Sequence, residues 1–429
     1  MDKGKPTIVL MGTCDTKWDE LRFTQSQLLS HNTCAVLLMD IGRTPSLHAS
    51  IAIKHPELTS PDTTNVTSNL PRAEYIHQMT THAITTLTTL HRTSSIHAVL
   101  AIGGSCGTAL ATAAMRTALP LGFPKLMVST MASGDVAPYV QETDLTLMYS
   151  VVDVAGSNRI LNRILANAAA AVSGMAVSYA SQRSTDPTSS RTRIGITMFG
   201  VTTPAVNTIR ARLQQTLSRS CEIYVFHATG AGGKALERLI REGQLDAVID
   251  LTTTEIADEI VGGVLSAGPA RLAAAAQAGL PQIISVGACD MVNFGAVDTI
   301  PERFRDGHGR KQRLLYEHNP TVTLMRTTVD ECVRIARFMA EKLKAHVARP
   351  ERVRVILPAG GISMLDTPGQ PFHDPEADQV LFSTLEKELD GTGIAVLRDS
   401  REINDPEFAI SVADSLVELL RSSSVVHTK

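Results

Sequence analysis

An apolar run, a turn of small and polar residues, then a helical stretch: this unit recurs along the whole chain and limits its fold more than any other feature. "TIVLMG" leads into "CDTKWDELRFTQSQLL", "CAVLLMDIG" follows, and "IHAVLAIGG" runs into "SCGTALATAAMRTAL". "PKLMVSTMASGD" comes next, before a helix-like stretch from about Ala155 to Ala180. Short strands alternating with helices predict a parallel sheet with helices on its faces. After "SQRSTDPTSSRT" (residues 181–192), a polar, Ser/Thr-rich stretch, the pattern restarts. "RIGITMFG", "EIYVFHATG", "LDAVIDLT", "PQIISVGACD" and "RVRVILPAGG" each read as a strand ending in small or polar residues. The expectation is two α/β domains with mostly parallel sheets, 1–182 and 193–429, a linker at 183–192, and a cleft between the domains. Residues 42–72 interrupt the first half and read as an excursion over one face. A helix around Phe408–Leu420 packs against either domain.

Composition excludes several classes. The 429 residues are 43% hydrophobic, ample for two cores. Forty Lys and Arg stand against 43 Asp and Glu, for a formal net charge of -3, and the cations are scattered, so no nucleic-acid partner is expected. The opening "MDKGKPTIVLMGTCDTK" has a short apolar run broken at Gly12, unlike a secretion signal. "ILANAAAAVSGMAVSYA" contains Asn167 and many small residues, which suits a buried helix better than a membrane span. A cytoplasmic protein without a membrane partner is the expectation. Cys14, Cys34, Cys106, Cys221, Cys289 and Cys332 form no CxxC pair, so neither disulfides nor a zinc site is expected.

In an open parallel sheet, ligands bind beyond the carboxyl ends of the strands. "AIGGSCGTALATAAM" lies there if "AVLAI" is a strand. Gly103, Gly104 and Gly107 let a ligand approach the backbone, Ser105 and Thr108 offer hydroxyls, and the following helix presents unpaired N–H groups to an anion. The motif is neither GxGxxG nor a P-loop, so a tight structural corner stands beside the phosphate reading. "GTCDTK" adds Gly12, Thr13, Asp15, Thr16 and Lys17. Asp15 reads as a helix cap or as a contact to Mg²⁺ or ribose, and Lys17 as a phosphate partner or a solvated residue. "STMASGD" adds Ser129, Thr130, Ser133, Gly134 and Asp135.

The second half uses the same vocabulary. "FHATGAGGKALERL" resembles a P-loop, but its glycine spacing is wrong and Ala235 stands where a hydroxyl belongs. As a Gly-rich helix N-terminus it suits an anion or carboxylate. Thr252 and Glu255 have capping-box spacing. His227, His318 and His373 with Asp250 and Asp290 fall in or near strand-end loops and make a candidate acid–base pocket. No ligand spacing fixes a metal site, and G-x-S-x-G is missing.

Taken in order, "GTCDTK", "GGSCGTALATAAMRTALPLGFPKLMVSTMASGDV", "DLTLMYSVVDVAGSNRI", "VFHATGAGGKALE", "DLTTTEIADEIVGG", "LPAGGISMLDTPGQPFHDPEAD" and "INDPEFA" resemble one widespread family. It includes the N-terminal ATP-binding domain of the tomato protein that confers resistance to tomato mosaic virus. The likeness runs from Gly12 to Ala409. It implies two Rossmann-like domains, an ATP site in the first, and self-association, most simply as a homodimer; Mg²⁺ would accompany the nucleotide. A small carboxylated or phosphorylated metabolite is a further expected partner if the chain is an enzyme, with His227 or His318 as base and Asp250 or Asp290 assisting. A nucleotide-controlled interaction module is the other alternative. Two positions depart from the family's usual residues: Cys106 replaces a glycine and Trp18 a small residue. Cys106 is harmless at negative φ and costs about 1 kcal/mol or more at positive φ. Trp18, the one tryptophan, either stacks on a base or covers a helix seam.

Overall fold

Strands covered on both faces have to be apolar nearly throughout, and alternate side chains then enter different cores. The computed structural model, which describes residues 4–59, 67–183, 191–305 and 313–425, shows this in its first strand. In β1 (Thr7–Gly12), Ile8 and Leu10 enter one core and Val9 and Met11 the other. The chain divides into two units, Met1–Ser189 and Ser190–Lys429. The central part of the expected linker, 184–190, lies outside the described residues.

Unit 1 contains β1, β2 (Ala35–Asp40), β3 (Ile51–Ile53), β4 (Ala98–Gly103), β5 (Lys125–Ser129) and β6 (Thr146–Tyr149). They form one parallel sheet in the order 3-2-1-4-5-6, the order of dinucleotide-binding folds. Its helices are α1 (Trp18–Ser30), α2 (Arg72–Arg92), α3 (Ser105–Ala118), the short α4 (Ala137–Val140) and α5 (Arg159–Arg183). Leu21 and Leu28 of α1 share one face of the sheet with Leu161, Leu165 and Val172 of α5. Met79 and Leu87 of α2 share the other with Leu110 and Met115 of α3. By length and composition α5 could cross a membrane, but here that leucine face is buried on the sheet. The stretch 42–72 is more than an excursion: "IAI" within it supplies edge strand β3, while 60–66 lie outside the described residues.

Unit 2 contains β7 (Thr192–Met198), β8 (Cys221–His227), β9 (Ala247–Thr252), β10 (Gln282–Gly287), β11 (Met291–Phe294), β12 (Leu315–Asn319), β13 (Val322–Arg326), β14 (Val353–Pro358) and β15 (Ala395–Asp399). A parallel sheet runs β15-β14-β10-β9-β7-β8, and β11-β13-β12 make a small antiparallel sheet. The helices are α6 (Thr203–Leu217), α7 (Ala231–Arg241), α8 (Thr254–Val261), α9 (Ala273–Ala278), α10 (Glu302–Arg305), α11 (Val329–His346), α12 (Pro375–Leu389) and α13 (Pro406–Val425). The C-terminal helix α13 belongs to this unit: Phe408, Val412 and Leu416 pack with Ile209 and Leu213 of α6. Both units are α/β with parallel six-stranded sheets, as two Rossmann-like domains require.

Gly103 shows how closely β4 and α3 approach. A Cβ there would lie 3.0 Å from the Gly107 Cα and 3.3 Å from its carbonyl carbon, both backbone atoms of the helix start. At Gly104 the nearest atom would be Thr130 Oγ1 at 3.8 Å. Gly103→Ala should therefore cost about 1–3 kcal/mol in urea unfolding, and Gly104→Ala much less. Equal losses from the two would refute the close-approach explanation.

Candidate functional site

The strand order reverses between β1 and β4, and a cavity of about 290 Å³ opens at the carboxyl ends of these strands. Three helices begin at it. Lys17 is the N-cap of α1, Arg72 is the first residue of α2, and Gly104 is the N-cap of α3; none of the three helices has a side-chain cap. First-turn N–H groups have no partner within their own helix, and each helix start carries about half a positive charge. Lys17, Arg43 and Arg72 add three cations to the wall. The Thr13 and Thr16 hydroxyls lie 2.7 Å apart beside them.

Carboxylates hold the loops in place. Asp40, fully buried at the end of β2, accepts the N–H groups of Cys14 and Gly42 at Oδ1, at 3.2 and 2.9 Å, and that of Ser46 at Oδ2, at 3.0 Å. Asp15 does not cap α1; its Oδ2 accepts the N–H groups of Arg43 and Thr44, both at 3.0 Å. It thereby joins the loop after β1 to the loop after β2. The Arg43 guanidinium donates to the carbonyls of Ser68 and Leu70 and lies 5.8 Å from the Tyr75 ring centre. Arg72 directs Nε and a terminal nitrogen at Cys106 Sγ, at 2.8 and 2.6 Å. Cys106 is the second residue of α3 and is absent from the described non-glycine residues with positive φ, so it carries no left-handed strain.

Seven of the expected residues line the cavity: Thr13, Asp15, Thr16, Lys17, Gly104, Ser105 and Gly107. Gly12 and Gly103 lie within strands just behind it. Thr108 and Ser129 are fully buried and share a 2.6 Å hydrogen bond that ties α3 to the end of β5. Thr130 and Ser133 belong to the turn after β5, where the Ser133 hydroxyl donates to the Thr130 carbonyl. Gly134 is exposed, and Asp135 accepts the Ala137 N–H at the start of α4. Arg43, Arg72, Tyr75 and Cys106 complete the wall and were not among the expected residues. For Arg43 a signal exists: it lies three residues beyond the end of a strand. Trp18 covers a seam, stacked on His48 with ring centres 3.6 Å apart and packed on the core beneath.

In unit 2 the Gly-rich start of α7 is met from within. Gly230, the N-cap of α7 at φ +85°, and Gly233 donate their N–H groups to Glu255 Oε1 at 2.7 and 2.9 Å. Glu255 thus forms no capping box with Thr252; it occupies the anion position at the Gly-rich helix start. Arg271, 1% exposed, donates to Glu255 at 2.9 Å and also to Asp250 and Glu237. At the β7/β9 switch, the Thr202 and Thr252 hydroxyls bond each other at 2.8 Å.

The structure does not assemble His227, His318, Asp250 and Asp290 around a common hydrogen-bond partner among the described residues. His227 is exposed at the end of β8 with its ring 5.5 Å from that of Phe199, and His318 is exposed on β12. Asp250 is buried against Arg271 and Gln282. Asp290, fully buried, accepts the Ser363 hydroxyl at 2.8 Å; burial, then the nearby Asp366, pushes its pKa up, against Arg326. Arg326 donates to Asp378 at 2.7 Å and Asp366 at 3.4 Å. His373 places Nδ1 3.1 Å from the Asp366 carbonyl oxygen.

Two models of the uncharacterised protein family UPF0261 match, its N-terminal domain over residues 6–181 and its C-terminal domain over 191–420. A UPF0261 protein of Clostridium tetani is 39% identical over 416 residues, 96% of this chain and 98% of that one. A UPF0261 protein of Mesorhizobium japonicum is 43% identical over 409 residues, 95% and 97% of the two chains. The ToMV resistance protein Tm-1 of Solanum lycopersicum is 39% identical over 435 residues, 96% of this chain and 56% of the tomato protein.

One buried carboxylate of unit 2 makes a pH dependence testable. Asp258 accepts the N–H groups of Asn293 and Leu265 at 2.8 and 2.7 Å, yet burial raises its pKa from 3.8 to about 7. The folded state then holds a proton that the unfolded state releases near pH 4, so this contribution is complete at low pH and is lost as pH rises through about 7. In urea unfolding of the full chain, stability relative to Asp258→Asn should fall between pH 4 and 8, by at most about 4 kcal/mol. A flat or rising difference would refute the assignment.

Proposed function

This chain belongs to the uncharacterised protein family UPF0261, and from that premise we propose that unit 1 binds ATP together with Mg²⁺ in the crevice between β1 and β4. The observation that carries the reading is the convergence of three uncapped helix starts on one cavity walled by Lys17, Arg43 and Arg72. Such a concentration of donors and positive charge is stabilised by an anion. A triphosphate would take the N–H groups at the start of α3 and the Ser105 hydroxyl, with Lys17 and Arg72 neutralising its oxygens.

The residues fit Mg²⁺ in a limited way. Among the described residues no group of three His, Cys, Asp or Glu could hold a metal ion. Asp15 still offers Oδ1, which makes neither of its two loop bonds, and Thr13 and Thr16 lie beside it. This suits an ion that arrives on the phosphates, keeps several waters and gains one carboxylate from the protein. The ion would supply charge neutralisation of the phosphate chain.

Calorimetric titration of the full chain with ATP tests the reading. Wild type should bind saturably and more tightly with Mg²⁺. Gly104→Trp, which fills the cavity, should lose about tenfold or more in affinity with an unchanged far-UV spectrum. Absence of saturable binding by wild type, or undiminished binding by Gly104→Trp, would overturn it.

A further inference from the structure

We infer that this cavity selects its ligand by the phosphate chain alone, with no recognition of base or ribose, so that it takes compact oligophosphates as a class. The inference rests on the anion-site reading above and adds what the site discriminates.

A base is ordinarily read by an aromatic face or an apolar slot. Among the described residues lining the cavity Tyr75 is the aromatic one; it is 5% exposed, has Arg43 against its ring, and donates its hydroxyl to the Ile41 carbonyl at 2.9 Å. Trp18 adjoins Lys17, but it is stacked on His48 at 3.6 Å and packed on the core. Neither ring offers a face to a base without giving up a contact it already makes.

Ribose is ordinarily held by a carboxylate at the end of the second strand. Asp40 stands there, fully buried, with both oxygens committed to the backbone N–H groups of Cys14, Gly42 and Ser46. Asp15 lines the cavity, and its Oδ2 holds the loop of Arg43 and Thr44. Turning Asp40 toward a ribose would unfasten the loops that shape the cavity, and the remaining oxygen of Asp15, Oδ1, is the one left for the phosphate-borne Mg²⁺.

What the wall does present to a ligand is charge and donors: Lys17, Arg72, the α3 start and the Ser105 hydroxyl. At about 290 Å³ the space is at the bottom of the range of roughly 300–1,000 Å³ for pockets that enclose a whole drug-sized ligand. It accommodates a phosphate chain and leaves the rest of a nucleotide outside.

Competition calorimetry on the full chain with Mg²⁺ tests this, using ATP, GTP, UTP, inorganic tripolyphosphate, AMP and adenosine. The triphosphates and tripolyphosphate should bind within about threefold of one another, AMP about tenfold or more weakly, and adenosine should not displace ATP. Arg72→Gln should weaken all four tight ligands by the same factor. GTP or tripolyphosphate binding more than about thirtyfold below ATP, or displacement by adenosine, would overturn the inference while leaving ATP binding intact. Failure of both ATP and tripolyphosphate would overturn both readings, and tripolyphosphate binding without ATP would overturn the ATP reading alone. Tripolyphosphate binding that survives in Gly104→Trp would overturn the inference by moving the anion out of the cavity.

Discussion

The parallel strands of each unit deliver the backbone to one edge of their sheet, and most of them are followed by a helix whose first N–H groups have no partner within it. What meets those donors decides where a ligand can go. In unit 2 the chain meets them itself: Glu255 accepts from Gly230 and Gly233 at the start of α7. In unit 1 both oxygens of Asp40 and one of Asp15 hold loop backbone, and the starts of α1, α2 and α3 have no side-chain caps. Two sheets of related design therefore end differently, one sealed from within at α7 and one with a cavity at its switch point.

The internal seal has an electrostatic cost that explains the buried arginines. Glu255 brings a carboxyl group into the buried interior, Asp250 and Glu237 add two more, and Arg271 donates to all three. Arg326 does the same for Asp366 and Asp378. Removing one partner of such a cluster leaves an uncompensated charge, which is far more destabilising than the intact cluster is stabilising. Burial pushes up the pKa values of Asp290, Asp378, Glu237 and Asp258, in keeping with more carboxylate than guanidinium in these places. The Asp-rich, Gly-rich loops of unit 2 thus read from sequence as chemistry, yet much of their polarity faces inward.

The main strands were legible because a strand buried on both faces has to be a continuous apolar run, as "TIVLMG" and "AVLAIG" are. β3, β6 and β15 were not, since "IAI", "TLMY" and "AVLRD" are short or half-exposed edge segments with weaker patterns. The antiparallel β11–β13 group was hidden for a similar reason: "LYEHN" is largely polar. At the cavity, the loops after β1 and β4 were visible as Gly/Thr/Asp motifs following apolar runs. Arg72 was not, because it reaches the site from the far end of the 42–72 segment, a placement only the tertiary fold produces. The partner of Glu255 was equally unreadable: its spacing suggests a local cap, but Gly230 and Gly233 are 25 and 22 residues away.

The "GGSCG" turn gains a different meaning from its geometry than from its resemblance to phosphate loops. Gly103 is demanded by the contact between β4 and α3, with or without a ligand, whereas Gly104 has room for a side chain and keeps the cavity open by lacking one. Cys106 then occupies a helical position where the family resemblance leads one to expect glycine, and no strain follows. Its sulfur instead gives the Arg72 guanidinium a partner at 2.8 and 2.6 Å, which orders a long cationic side chain at the cavity wall. Ordering such a side chain in advance removes part of the rotamer entropy that a phosphate would otherwise have to offset on binding. A substitution that looks from the sequence like damage to the turn is, in the fold, compatible with a prepared cation beside it.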